Sequence, residues 1–462
     1  MNHQYVERVV DLLDPSLNRI YNMSVEDARD RVLSGKAEEV MGIDGSFALI
    51  AKEGKTVRLA RSMDRPMRYF LAKRVEGPAL IVAERMEEIY AWLKSEGFED
   101  QFHPSYTRMI PAHYIVEIEL IGCPDPDPIY TRYFDPQHNT QPKDIDTIGR
   151  NYIGALADEI GKWLDSIDGK VLPAASRQSG GGKDLPASCR QHAPIGVCFS
   201  GGIDSGAVFL TTYHVMKQKG ISPSRLKAFT LSLDGGDDLA QAREFLKSLG
   251  LELFLEPIEA SADSINIDDT LRILEDYKPL DVECAAMGIA LLRGIRERYP
   301  EWKFLLDGDG GDENLKDYPI EDNPELTIKS VLHNQMLYQE GWGVGRIKHS
   351  LTYSGGLSRG YLRTYMPARK FGFDALSPFT RPSVTSVGEG IPYIEMTEYD
   401  HHKLYELKGA VVASGIKQIT GFDMPVYPKR RFQHGAVKKE KLDQILGISE
   451  AKMRRRLQEL FV

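Results

Sequence analysis

The residues best suited to chemistry lie in the loop Ser200-Gly201-Gly202-Ile203-Asp204-Ser205. The apolar run 195–199 before it is typical of a buried strand, and a helix is predicted to begin at about Gly206. Adjacent glycines let backbone N–H groups approach phosphate oxygens, and the following helix N-terminus adds partial positive charge. The two serine hydroxyls are donors, and the aspartate is a hard oxygen ligand suited to Mg²⁺. The pattern predicts a polyphosphate site; a Gly-rich turn without chemistry is the alternative.

A second loop, Asp307-Gly308-Asp309-Gly310-Gly311-Asp312-Glu313, follows the apolar run 303–306. Acidic residues interleaved with glycines at a strand end create a dense negative field, for which a divalent cation is the natural counter-charge. A solvated acidic turn is one alternative. A calcium loop is another, but the incoming helix and the closing glutamate of such a loop are missing from the pattern.

From Ile195 onward, short apolar strands alternate with amphipathic helices. Repeated strand–helix–strand units predict an α/β fold with a mostly parallel sheet. Ligands of such sheets bind outside the carboxyl ends of the strands, where both loops fall. Strands are predicted at 195–199, 228–233, 251–255 and 303–306, helices at 145–167, 206–220, 239–249, 268–277 and 282–298, and a mainly helical region after 320.

Residues 1–140 have a different pattern, with alternating or continuous apolar runs at 46–50, 56–60, 79–83 and 114–120. These runs predict a smaller β-rich domain, with one helix over about 86–93. The Ser/Gly-rich segment 176–183 lacks apolar periodicity and is expected to be a mobile surface loop.

The composition and net charge of the chain disfavour some classes of function. The chain has 462 residues, 42% of them apolar, and a net charge of −9, which disfavours general affinity for nucleic acid. No apolar run is long enough to cross a membrane and no secretory signal pattern is visible, so a cytoplasmic location is expected. The four cysteines, Cys123, Cys189, Cys198 and Cys284, form no C-x-x-C pair and no zinc-site spacing.

The two loops resemble those of the asparagine synthetase family, which includes the β-lactam and carbapenam synthetases. The family carries a Ser-Gly-Gly-x-Asp-Ser loop, similar to the loop of enzymes that split ATP into AMP and pyrophosphate, and a later Ser-Gly-x-Gly-x-Asp-Glu loop. The resemblance implies an ATP-pyrophosphatase-type (adenine nucleotide α-hydrolase-like) synthetase domain, expected over 145–462. It also implies that ATP binds there and that Asp204 and Asp312 hold Mg²⁺.

Two further segments carry the resemblance. Residues 372–379 are similar to the family stretch Gly-x-Glu-x-Arg-x-Pro-Phe, with Leu376 at the arginine position. Residues 428–435 are similar to a late loop whose lysine is Lys429 here, which implies a role in stabilising charge. Asp309 stands where the family has the Glu or Tyr that handles the nucleophile's proton, and an Asp reaches one methylene less far than a Glu.

Residues 42–48 and 80–84 are similar to parts of the glutaminase-like (Ntn-hydrolase-like) domain that precedes the synthetase in this family. That domain begins with a nucleophilic Cys, but position 2 is Asn2 and the nearest cysteine is Cys123. We therefore expect a degenerate scaffold domain over 1–140 without glutaminase activity.

Helix 281–288 occupies the region that lines the aspartate pocket in the family, but it lacks the Thr/Arg/Ser-rich sequence found there. Glu283 would repel an aspartate carboxylate, which favours another acid. The alternative is that Val282, Ala285 and Ala286 are core residues and Glu283 is an exposed bystander.

These features predict an amide-forming ligase that adenylates a carboxylate and passes it to ammonia or an amine, with Asp309 as candidate base and Lys429 stabilising charge. Loop 200–205, with Gly308 and Gly310, would hold the phosphates. The backbone of Leu231, Ser232 and Leu233 would accept the adenine. Nitrogen would come from free ammonia, a separate ammonia-supplying subunit or an amine on the substrate. The sequence does not fix the oligomeric state, and a homodimer is one option.

Two alternatives belong to other classes. Sulfur transfer or base modification on tRNA uses the same type of ATP loop. Such an enzyme would require catalytic cysteines near the loop and a basic surface. A non-catalytic regulatory homologue would fit the altered N-terminal region, whereas the intact Asp204, Asp312 and Lys429 oppose it.

Overall fold

Two sets of strands with different connections make up the described part of the chain. The structure is a computed structural model that describes residues 7–121, 127–167, 193–233, 238–317, 320, 327–340, 360–427, 446–447 and 449–461. None of the helices within these ranges is both long and apolar enough to cross a membrane.

Residues 7–132 carry the first set, which confirms the β-rich character expected there. The ten strands are β1 Arg8–Asp11, β2 Arg19–Ile20, β3 Gly45–Ser46, β4 Ala48–Glu53, β5 Thr56–Arg61, β6 Arg68–Ala72, β7 Ala79–Ala83, β8 Arg108–Met109, β9 Tyr114–Glu119 and β10 Ile129–Arg132. The helices among them are α1 Val25–Ser34, α2 Ala37–Met41 and α3 Met86–Ser95. Hydrogen bonds give two four-stranded sheets, in the orders β1-β7-β6-β8 and β10-β9-β5-β4, and a separate pair β2-β3.

Side-chain alternation along β7 shows how the two larger sheets stack. Leu80 and Val82 are buried in the apolar cluster shared with β5 and β9 of the other sheet. Ile81 faces the opposite way and packs with Ile89 of α3. Val32 of α1 belongs to the cluster on the outer face of the second sheet. The strands therefore form a two-sheet sandwich with helices on both outer faces, so each sheet buries both of its sides.

The second set forms one parallel sheet, as the sequence predicts. Its strands, β11 Ile195–Cys198, β12 Leu226–Leu233, β13 Leu255–Ala260, β14 Phe304–Leu306 and β15 Asp374–Leu376, lie in the order β13-β12-β11-β14-β15, every neighbouring pair parallel. The helices of this part are α4 Ile145–Ile167, α5 Ile203–Gln218, α6 Asp238–Ser248, α7 Ile267–Leu274, α8 Pro279–Arg298, α9 Gly311–Asn314, α10 Ile328–His333, α11 Leu337–Glu340, α12 Leu362–Lys370, α13 Pro382–Glu389, α14 Tyr393–Thr397, α15 His401–Thr420 and α16 Glu450–Glu459.

The strand predicted at 251–255 is wrong. A 3₁₀ turn spans Glu252–Phe254, and the strand follows it as β13, Leu255–Ala260. One turn brings Leu251 and Phe254 into the same buried cluster, whereas Leu253, which an alternating strand would bury with Leu251, is 71% exposed. The edge position of β13 also tolerates Pro257, which has no N–H to donate.

Two smaller differences concern the sheet near the loops. Helix α5 begins at Ile203, earlier than the predicted Gly206, so Asp204 lies in its first turn. Strand β15, in the region predicted to be mainly helical, adds a fifth parallel strand beside β14. The expected boundary between domains over 1–140 and 145–462 stays a prediction.

Helix α4, whose predicted bounds are confirmed, crosses α15 at very short range. A Cβ on Gly149 would lie 2.5 Å from the carbonyl oxygen of Val411 and 2.7 Å from the backbone nitrogen of Gly415. Only glycine permits this approach, and the contact fixes the position of α15 beside the carboxyl ends of the strands.

Candidate active site

The first loop connects β11 to α5 and is held by its own serines. Ser205 Oγ accepts a hydrogen bond from Ser200 N at 3.2 Å, and Gly202 N donates to Ser200 Oγ at 3.3 Å. Gly201 has a φ of +75°, and a Cβ there would lie 2.8 Å from the Cα of Ala242 in α6. The loop therefore requires glycine both for its backbone conformation and for the close approach of α6.

Helix α5 presents its N-terminus at this loop. Gly202 occupies the N-cap position without a side-chain cap. The first N–H groups of a helix lack partners within the helix and carry partial positive charge, so they are suited to phosphate oxygens.

The second loop follows β14 and touches the first. Asp307 Oδ1 accepts from Asp309 N at 3.0 Å and from the hydroxyl of Ser377. A Cβ on Gly308 would lie 3.0 Å from Ser205 N, and a Cβ on Gly311 would collide with the carboxylate of Asp204. Glycine at these two positions is what lets the loops meet.

The two loops bring Asp204 and Asp312 to the same atom, the ammonium nitrogen of Lys408 on α15. Nζ lies 2.7 Å from Asp204 Oδ2, donates to Asp312 Oδ1, and lies 3.4 Å from Asp317 Oδ2. Burial by itself lowers the pKa of the ammonium, but the three carboxylates outweigh burial and hold that pKa well above its ordinary value. Lys408 is thus a buried, charged partner of both predicted metal ligands.

Sequence reasoning missed Lys408. The available signal was a charge within an apolar helical stripe, since Leu404, Leu407 and Val411 are buried at helical spacing around it. A lysine in such a stripe needs acidic partners, but the sequence alone does not say which.

The carboxylate oxygens of Asp204 and Asp312 are suited to bind Mg²⁺. Carboxylate oxygens are hard ligands, and Mg²⁺ is usually held by one or two carboxylates together with phosphates and water. No group of three His, Cys, Asp or Glu side chains within the described ranges is arranged to hold a metal alone. A metal at Asp204 and Asp312 would therefore complete its coordination with oxygens that the protein does not supply.

Asp309 lies beside this pair in a half-buried position. Burial raises the pKa of its carboxyl to about 6; Arg363 and Thr364 act in the opposite direction, and Glu313 and Asp312 add to the rise. A carboxyl with such a pKa exchanges its proton near neutrality, as a general base must. The position and the raised pKa of Asp309 are compatible with its predicted role as the base.

Arg363 of α12 connects Asp309 to the helix predicted to line the substrate pocket. Its Nε lies 3.0 Å from Asp281 Oδ1, and its Nη1 lies 3.8 Å from the sulfur of Cys284. In that helix Val282, Ala285 and Ala286 are buried core residues, as the alternative to a pocket-lining helix proposed. Glu283 is half-buried, so the exposed position that the same alternative gave it is wrong.

The remaining predicted site residues divide into two groups. Leu231, Ser232 and Leu233 end β12, which lies beside the first loop because Thr230 Oγ1 donates to Phe199 O at 2.8 Å. Their contact with adenine stays a prediction. Lys429, the segment 176–183, Cys123 and Cys189 lie outside the described residues.

Comparison with known proteins agrees with this geometry. The described residues form an α/β unit with a parallel sheet and two glycine-rich loops at the carboxyl ends of its strands, which is where sheets of the doubly wound class bind ligands. The asparagine synthase family model matches residues 186–368, which include both loops. This match confirms the resemblance to the asparagine synthetase family over residues 186–368, and the asparagine synthase family uses ATP.

The similar curated proteins are distant. A glutamine-hydrolysing asparagine synthetase 2 of Lotus japonicus is 27% identical over 220 residues, 46% of this chain and 34% of the relative. A probable glutamine-hydrolysing asparagine synthetase of Acanthamoeba polyphaga mimivirus is 26% identical over 120 residues, 26% of this chain and 21% of the relative. Amidase chry2 of Gibberella zeae is 29% identical over 140 residues, 28% and 20% of the two chains. The matches span between a fifth and about a third of these relatives.

Proposed function

We propose that this protein is an ATP-dependent carbon–nitrogen ligase that forms an amide through an acyl-adenylate. The observation that carries the proposal is the convergence of Asp204 and Asp312, from two loops 108 positions apart, on the single nitrogen of Lys408. Two hard carboxylates beside a glycine-rich helix N-terminus make a site for the metal complex of a polyphosphate.

The chain's own residues have distinct parts in this proposal. The backbone of 200–205, with Gly308 and Gly310, would cradle the phosphates, and the backbone of 231–233 would accept adenine. Asp204 and Asp312 would hold Mg²⁺, which supplies charge neutralisation on phosphate oxygens when it is bound. Lys429 would stabilise developing negative charge.

The reaction has two transfers. A carboxylate oxygen of the substrate bonds to the α-phosphorus of ATP while the bond from that phosphorus to the pyrophosphate breaks. An amine or ammonia nitrogen then bonds to the acyl carbon, and AMP leaves with the carboxylate oxygen. Asp309 would accept the proton that the nitrogen loses.

The sulfur-transfer alternative needs a reactive thiol, which the described cysteines do not favour. Burial, followed by the charges of Asp307 and Asp309, holds the pKa of Cys198 well above its ordinary value. Burial raises the pKa of Cys284 to about 11. Thiols in this state are weak nucleophiles at neutral pH. For Cys284 this holds although Arg363 lies 3.8 Å from its sulfur, because burial outweighs the lowering of the pKa by that guanidinium.

For the N-terminal part, we propose a glutaminase-like scaffold without hydrolytic activity, in keeping with its stacked sheets. The acyl substrate is proposed to be an acid other than aspartate, because the half-buried Glu283 lies on the helix predicted to line the acid pocket and would repel a second carboxylate there.

The test is acid-dependent exchange of labelled pyrophosphate into ATP across a panel of small carboxylic acids, aspartate included. We expect exchange with at least one acid, and a loss of at least about 100-fold in Asp312→Asn. Glu297→Gln, an exposed carboxylate on α8, is the matched control and should retain full exchange. Exchange that survives in Asp312→Asn would remove the basis of the proposal.

A further inference from the structure

Lys408 contacts both of the aspartates that would hold the metal. Its ammonium contacts Asp204 Oδ2 at 2.7 Å and also Asp312 Oδ1. An ammonium has three N–H donors, and Asp317 Oδ2, 3.4 Å away, is its third carboxylate neighbour. The three N–H donors of the lysine therefore face three carboxylates.

Charge counting shows what this contact does to metal binding. The ammonium of Lys408 offsets one unit of the negative charge that these three carboxylates carry. A divalent ion entering between the same oxygens would meet a fixed positive charge at contact distance, where repulsion in a protein interior is strong. The protein alone is consequently a poor host for the ion.

The ammonium has little freedom to withdraw. The side chain of Lys408 is 2% exposed, and α15 is fixed by the glycine contact with α4 at Gly149. New acceptors for the ammonium must therefore be brought into the site, and phosphate oxygens at the first loop are such acceptors.

We propose that Lys408 is an internal counter-cation that prevents Asp204 and Asp312 from holding a divalent ion until a polyphosphate arrives. The metal and the nucleotide then bind together, because the phosphates add the negative charge that both cations need. Lys408 is a positioning residue in this account, and the inference rests on the proposed nucleotide site.

Mn²⁺ binding followed by electron paramagnetic resonance tests this directly. Wild-type protein is titrated with Mn²⁺ alone and with an ATP analogue whose α and β phosphorus atoms are joined by a methylene group, after subtraction of Mn²⁺ bound by the analogue itself. We expect binding of one Mn²⁺ per chain with the analogue, and affinity at least about tenfold weaker without it. Lys408→Met should bind Mn²⁺ without nucleotide at least about tenfold more tightly than wild type, and Lys408→Arg should behave as wild type.

Each result has a separate meaning. Equal Mn²⁺ affinity of the wild type with and without the analogue overturns the inference and leaves the proposed function standing, and this comparison needs no variant to fold. Equal nucleotide-free affinity of wild type and a folded Lys408→Met overturns it as well. Failure of the wild type to bind Mn²⁺ even with the analogue contradicts the proposed function itself.

Discussion

The guanidinium of Arg19 lies 2.5 Å from the carboxylate of Asp374, and this contact joins β2 of the N-terminal sandwich to β15 of the parallel sheet. A second arginine, the buried Arg381, makes the same kind of connection, 3.1 Å from Glu159 on α4 and 3.4 Å from Asp64 of the N-terminal part. The two parts therefore contact each other through paired charges, half-buried at Arg19 and buried at Arg381.

Replacing Arg381 should destabilise the protein strongly. Arg381→Met leaves Glu159 and Asp64, 3% and 4% exposed, without their shared cation. Breaking a buried pair costs about 3–5 kcal/mol, whereas an exposed pair contributes about 0–1 kcal/mol. The free energy of unfolding in urea should fall accordingly in Arg381→Met and hardly at all in Arg8→Met, whose partner Glu96 is solvent-accessible. Equal losses in the two variants would mean that the interface does not depend on this arginine.

Asp309→Asn should separate the two chemical steps. Because Asp309 is assigned to the amine and not to the phosphates, acid-dependent pyrophosphate exchange should continue while amide formation falls by about 100-fold or more. In wild type the amide-forming rate should rise with pH through an apparent pKa of about 6, as burial holds the proton on this carboxyl. A rate that is flat between pH 5 and pH 7 would exclude Asp309 as the base.

The same carboxyl should make stability depend on pH. Its pKa is raised from 3.8 to about 6 in the folded protein, so between these values the unfolded chain loses a proton that the folded protein keeps. Folding is thus penalised as pH rises through this window, and the penalty is complete above about pH 6. Asp309→Asn should be more stable than wild type by about 1–3 kcal/mol at pH 7.5 and equally stable at pH 3.5. A stability gain that persists undiminished at pH 3.5 would need another cause.

Gly311→Ala should weaken nucleotide binding through Asp204. The added methyl group would collide with that carboxylate and displace it from Lys408. We expect at least about a tenfold loss of affinity for the metal-bound ATP analogue, measured by calorimetry. Gly154→Ala on α4, where no atom lies within 4 Å of the new Cβ, is the matched control and should bind normally. Normal binding in Gly311→Ala would show that the contact between the loops is not required.

Much of this site could be predicted from the sequence, because parallel strands carry their loops to one edge of the sheet. The order of strands and helices from Ile195 was sufficient to bring Asp204 and Asp312 together. Helix α4 was predicted with its observed bounds, since its apolar stripe is long and regular.

The parts that were not predicted depend on contacts between distant segments. Lys408 is 204 residues from Asp204, and the packing of α15 on α4 and on α5 brings them together. Arg363 reaches Asp281 in the same way, through α12 and α8. The error at 251–255 has a local cause, because a run of five residues is too short to distinguish the three-residue period of a 3₁₀ turn from the two-residue alternation of a strand.

The most direct measurement is the identity of the nucleotide products. Purified protein is incubated with ATP, Mg²⁺ and a small-metabolite extract, and the products are resolved by phosphorus NMR for wild type, Asp204→Asn and Glu297→Gln. The account predicts equal amounts of AMP and pyrophosphate from wild type and Glu297→Gln, and neither product from Asp204→Asn. Formation of ADP and phosphate, or AMP formation that is unchanged in Asp204→Asn, would contradict it.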